Sequence, residues 1–178
     1  MGDEVAEDQL RQRLRSRDWM VVDRAIREAI ALGARGQVVL VDRLHEAPAL
    51  QRVAIVAGLG ELSGRLGDEA LRQQLETTGP GSQDLCCAAV LALAKRLGVE
   101  ASADLGQAMQ SRNGAVRDYA AFGLAAVGDD RCWNDMGLWF DSRARRSTGA
   151  FPSDVAVGFS TWDATQSPQR ACESYMRV

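Results

Sequence analysis

A reaction needs a nucleophile, a base or a set of metal ligands, and this chain offers few of them. His45 is the only histidine, so any Ser–His or Cys–His pair would have to use it. It falls at the end of a helical stretch beside Glu46, where an imidazole meets the last carbonyls without any catalytic duty. The cysteines are Cys86, Cys87, Cys132 and Cys172. None forms a CxxC pair, and a lone histidine leaves no zinc set at ligand spacing. Cys86 and Cys87 stand inside an apolar run, as small core residues do. The glycines of GLGELSG, residues 58–64, lie within a helical pattern rather than after a strand, so they fail the context a dinucleotide or phosphate loop requires. The expectation is no catalytic residue, no metal and no cofactor.

Two groups suit binding instead. Trp19, Trp133, Trp139 and Trp162 are many for a chain with 6% aromatics. Trp133 and Trp139 would share one outer helix, as a cage or stacking platform or as core and cap filling. Trp19 is expected at an N′-like position before the first repeat helix, stapling it. Arg143, Arg145 and Arg146 form a basic cluster that suits phosphate or an acidic partner. The dipole at a helix C-terminus favours the same cations without any ligand.

The 178 residues are 46% hydrophobic and 25% charged, which fits one domain or one short solenoid. With few aromatics and much Ala, Leu and Val, the core must be aliphatic, which favours helices over sheets. The net charge of −3 runs against the basic excess of a general nucleic-acid binder. Residues 67–130 are the most acidic stretch, with nine acids and five bases. Lys95 is the only lysine; the arginine bias suits a GC-rich bacterial genome. MGDEVAEDQL has neither a basic n-region nor an apolar h-region, and no apolar run reaches membrane-spanning length. A cytoplasmic protein with reduced thiols is therefore expected.

The elements that must position any site come from an internal repeat. VVDRAIREAIALG (21–33), LQRVAIVAGLGEL (50–62), LCCAAVLALAKRL (85–97) and VRDYAAFGLAAVG (116–128) share one pattern. Ala25, Ala54, Ala89 and Ala120 hold the fifth position; Ile26, Ile55, Val90 and Ala121 the sixth; Ala29, Gly58, Leu93 and Leu124 the ninth. Val21, Leu50, Leu85 and Val116 hold the first, and positions one, five and nine, with the eighth and twelfth nearby, are expected on one helical face. The starts are about 30 residues apart, room for two helices, and a second helix fits before each: 4–15, 37–46, 68–77 and 101–111, with a fifth at 130–144. Gly33, Gly36, Gly64, Gly67, Gly98 and Gly128 punctuate helix ends, and Pro48 and Gly79-Pro80-Gly81 mark turns.

VRDYAAFGLAAVGDDRCW resembles a HEAT repeat, with its V-R, A-A, V-G and D-D. The chain is also similar to the HEAT-like repeats of the phycobilisome-lyase type, over about residues 4–144. The other three units are more degenerate: Val22, Gln51 and Cys86 replace the family-like arginine at Arg117. The resemblance implies an all-α solenoid of about four to five stacked antiparallel helix pairs that presents a curved surface to a partner. It implies no chemistry. The solenoid is expected over 1–145. Residues 146–178, richer in Ser, Thr and Pro, are expected to form a C-terminal tail, with Ser167-Pro168 capping a short helix or the end left partly disordered.

The fourth and seventh positions of the repeat helices carry a second stripe: Arg24 and Arg27, Val53 and Val56, Ala88 and Leu91, Tyr119 and Phe122. On a concave side this would be an apolar groove with a basic end, taking an amphipathic helix or extended peptide; otherwise it packs between repeats. Arg27, Val56, Leu91, Tyr119 and Phe122 are the expected partner-binding residues of a non-enzymatic protein-interaction scaffold, with self-association a further option. Two other readings stay open. One is a HEAT-like DNA glycosylase or nucleic-acid binder built on Arg117, Asp118 and Trp133. The other is a lyase-like or chaperone-like factor acting on a tetrapyrrole protein.

Overall fold

A computed structural model describes residues 2–77 and 82–129, and every element among them is helical. The helices are α1 (Gly2–Leu14), α2 (Trp19–Ala31), α3 (Ala34–Glu46), α4 (Ala49–Leu59), α5 (Arg65–Leu75), α6 (Ser82–Leu97), α7 (Ser102–Ala108) and α8 (Gly114–Ala126), with a 3-10 turn at Gly98–Ala101 before α7. The expected fifth outer helix at 130–144, the boundary at 145, the tail, Trp133, Trp139, Trp162 and the Arg143–Arg146 cluster lie outside the described residues.

Local sequence explains where these helices begin. At α2, Asp18 caps the helix by accepting the Met20 N–H at 2.9 Å, and the Ser16 hydroxyl accepts the Asp18 N–H at 3.0 Å. At α8 the arrangement recurs: Asn113 accepts the Ala115 N–H at 3.0 Å, and Ser111 accepts the Asn113 N–H at 3.2 Å. A Ser-Arg-Asx tripeptide thus supplies two N-terminal donors with partners at both sites. Trp19 is consequently the first residue of α2 and 44% exposed, not a residue before the cap that staples the helix. Helix ends use glycine: Gly33, with φ of 60°, turns α2 into α3 at an angle closed to a side chain with a Cβ.

Each odd-numbered helix packs on the even one that follows it. Beyond these pairs, α2, α4, α6 and α8 touch in succession, and α1, α3 and α5 do likewise. The core between the two rows is aliphatic, with Val22, Leu40, Ile55, Leu59, Leu71, Leu93 and Leu105 all below 2% exposed. Small residues set the crossings. A Cβ on Gly36 would overlap the Ala29 carbonyl, and one on Gly60 would lie 2.9 Å from the Ala92 Cβ. Gly36 is therefore not a terminator; it sits inside α3 because α3 crosses α2 there.

Polar side chains fasten the rows. Arg43, with only 12% of its side chain exposed, donates to the Leu14 carbonyl at 3.1 Å and to Gln51 Oε1 at 3.0 Å. Gln51 in turn donates to the Ser16 carbonyl at 3.1 Å. The α1–α2 turn, α3 and α4 are held at one point. Arg96 clamps Asp68 with both nitrogens, its second contact at 3.0 Å, joining α5 to α6 in a largely buried pair. The Gln37 amide lies against Gly64 and Gly67 at the first turn of α5, which has no side-chain cap of its own.

Burial also fixes the frame of the repeat. In α2 and α6 the fifth, sixth and ninth positions are buried, as expected: Ala25, Ile26 and Ala29; Ala89, Val90 and Leu93. In α4 the matching trio is Ile55, Val56 and Leu59, while Leu50 is 72% exposed and Ala54 only partly buried. The second unit therefore starts at Gln51, one residue later than alignment on Ala54 implies. One residue is 100° around a helix, enough to exchange a core position for a surface one.

Glycine substitutions separate close crossing from chain freedom. Gly36→Ala should cost about 1–3 kcal/mol by overpacking. Gly106→Ala, in α7 with nothing within 4 Å of an added Cβ, should gain up to about 1 kcal/mol by helix propensity. Urea unfolding of the two variants measures both.

Candidate functional site

The helices α2, α4, α6 and α8 follow one another in contact. Asn113 Nδ2 donates to Gln83 Oε1 at 3.2 Å between the N-terminal ends of α8 and α6, and Lys95 pairs with Glu61 at the opposite ends of α6 and α4. In this frame the side chains left outside the core recur about one turn apart. On α2 they are Met20, Arg24, Arg27 and Ala31; on α4, Leu50, Ala54 and Ala57, with Glu61 just beyond it. On α6 they are Asp84, Ala88, Leu91 and Lys95; on α8, Ala115, Tyr119, Phe122 and Ala126. Phe122 departs from the others: it occupies the matching position on α8 but is buried, at 9% exposed.

This face has three zones. Arginines stand on α2: Arg27 pairs with Asp23 one turn before it and stays 76% exposed, and Arg24 pairs with no carboxylate among the described residues. The middle, on α4 and α6, is apolar, with Leu50 72% and Leu91 36% exposed around small alanines. The far side is aromatic, where Tyr119 packs against the core with part of its surface outside. A surface of this kind can bind.

The expected partner-binding residues divide accordingly. Arg27, Leu91 and Tyr119 lie outside the core on α2, α6 and α8 respectively. Phe122 lies at the edge of the face, mostly covered. Val56 is 0% exposed, among core side chains, because of the one-residue frame of α4, and Ala57 takes its place. Met20, Leu50 and Ala57 escaped the sequence pattern. The signal that finds them is the Ile55-Val56 pair, which matches Ala25-Ile26 and Ala89-Val90 in bulk better than Ala54-Ile55 does.

His45 lies in a cleft of about 450 Å³ between α1 and α3, lined by Arg11, Arg15, Val39, Asp42, Arg43 and Glu46. No serine or cysteine shares that lining. Its charges answer one another: Arg15 meets Glu46 at 3.1 Å, and Arg11 meets Asp42 at 3.9 Å. Arg117 donates to the Ser111 and Arg112 carbonyls at 2.7 and 3.1 Å, so its guanidinium closes the loop before α8. Among the described residues, no group of histidine, cysteine, aspartate and glutamate has metal-site geometry, and no helix is long and apolar enough to cross a membrane.

Cys86 and Cys87 are both buried. The Cys86 thiol points at the end of α5, with the Gln74 carbonyl 3.2 Å and the Thr77 carbonyl 3.5 Å from its sulfur. Burial pushes its pKa up. Burial pushes the Cys87 thiol up to about 12, and the charges of Cys86, Asp84 and Asp118 add to the effect. A nucleophile needs the opposite shift.

No family model matches the chain, and no curated protein matches it.

Cys87 gives a pH prediction. Folding holds its thiol protonated, whereas the unfolded chain releases the proton near 9.0. Its contribution to stability is complete below that pH and is lost as pH rises towards 12. Cys87→Ala should flatten the alkaline limb of the stability curve, measured by urea unfolding across pH. Iodoacetamide should spare both thiols in the native protein at mildly alkaline pH and label both in guanidinium, read by peptide mapping.

Proposed function

We propose that this chain is a short HEAT-like solenoid, cytoplasmic and non-enzymatic, that docks another protein on the exposed face of α2, α4, α6 and α8. One observation carries the reading: Met20, Leu50 and Leu91 are 73%, 72% and 36% exposed on that face, beside Arg24 and Arg27. Large apolar side chains left exposed on successive helices, with charge beside them, suit a contact surface. The pairwise contacts of successive helices and the 30-residue period fit a stack of helix pairs, which offers one continuous surface built from every unit.

The core behind the face is independent of these side chains, so they can be changed without unfolding the protein. Ala57→Glu with Leu91→Glu should leave the circular dichroism spectrum and melting profile close to wild type. Capture of the protein that wild type retains from lysate should fall at least about tenfold, since an unpaired carboxylate buried in a contact costs more than the ~1.4 kcal/mol that tenfold represents. Equal capture by the variant would refute the reading.

A further inference from the structure

We infer that the occupant of this face is an amphipathic helix that carries carboxylates along one flank, the flank turned towards α2. The inference rests on the docking reading above and adds the chemistry of the partner.

The argument begins with the charge layout. Arg24 and Arg27 stand one helical turn apart on α2. Arg24 has no carboxylate partner among the described residues, and the bond of Arg27 to Asp23 is an exposed pair within one helix. Such a pair contributes little, so its arginine can turn to an incoming carboxylate at small cost. Towards the other side the signs change. Asp84 lies on α6 at the edge of the face, and Lys95 at its far end is matched by Glu61. A ligand with acids on both flanks would meet Asp84; a ligand with acids on the α2 flank alone meets two arginines.

The shape argues for a helix. Packed helices lie about 8–10 Å apart, which leaves a seam between α4 and α6 that a helix can follow. A helix about 10–12 Å across that rests in it has α2 on one side and α8 on the other. Its apolar stripe covers Leu50, Ala57 and Leu91, and its second flank meets Tyr119. Acids at i and i+3 or i+4 on the first flank recur at the same one-turn interval as Arg24 and Arg27. A nucleic acid fits less well, because it requires a run of unpaired cations, and the face offers two arginines beside a matched lysine.

The test selects from a displayed library of helical peptides about four turns long. Their apolar stripe is fixed, and their flanking positions vary between Glu, Lys, Gln and Ala. Wild type should enrich Glu on one flank only. Binding of a selected peptide, read by fluorescence anisotropy, should weaken at least about tenfold in an Arg24→Glu, Arg27→Glu variant. Replacing the peptide glutamates with lysines should restore it. If the selected peptides show no acid preference, or the charge reversal leaves affinity unchanged, while Leu91→Glu abolishes binding, the acidic-helix inference fails and the docking surface stands. If no peptide binds in a way that depends on Leu91, both fail.

Discussion

Short helices bury little surface each, and the distance at which they cross decides whether the whole holds together. In this chain glycine and alanine set that distance. Gly36 lies on the Ala29 backbone, and Gly58 meets the Ile26 side chain. Gly60 meets Ala92, and Gly123 lies against Ala94 and Leu105. These contacts let backbones approach closely enough for Val22, Ile55, Leu59 and Leu93 to interlock without large aromatic fillers. The aromatic-poor composition and the close crossings are two sides of one design: a core of small aliphatic side chains is stable only when the helices nearly touch.

Close crossing also fixes rotation. Once Gly58 and Gly60 face α2 and α6, the rest of α4 has no freedom about its axis. Ile55, Val56 and Leu59 must point inwards, and Leu50 and Ala57 must point out. The same logic orients α2 and α6. The exposed face of arginine, aliphatic and aromatic zones is thus a consequence of the core and not an independent feature. Polar contacts then fix the sliding of one helix along another, with Arg43 and Gln51 pinning the α1–α2 turn and Asp68 with Arg96 pinning α5 to α6.

Helix positions were largely legible because the apolar period is strong and acids and glycines mark the ends. The stretches 21–33, 50–62 and 116–128 correspond to α2, α4 and α8 within two or three residues. The departures have physical causes. Gly36 reads as punctuation, yet a glycine demanded by a neighbouring backbone looks the same in sequence as one demanded by a turn. Trp19 reads as a staple, yet Ser16 and Asp18 cap the helix first. The face was legible in part: Arg27, Leu91 and Tyr119 are on it. Val56 is not, because Ala54 matches the fifth-position alanines of the other units and draws the alignment one residue out of frame. Identity at one column misled where bulk at two columns, Ile55 and Val56, was the better guide.

The frame of α4 is the point on which the docking face turns, and single cysteines test it directly. Ala57→Cys and Val56→Cys would each be introduced, and the rate of alkylation at that position followed by peptide mapping in the folded protein. The account predicts fast labelling at residue 57 and protection at residue 56 until the protein is unfolded. Fast labelling at residue 56 with protection at residue 57 would contradict it, returning Val56 to the surface and dissolving the face as described.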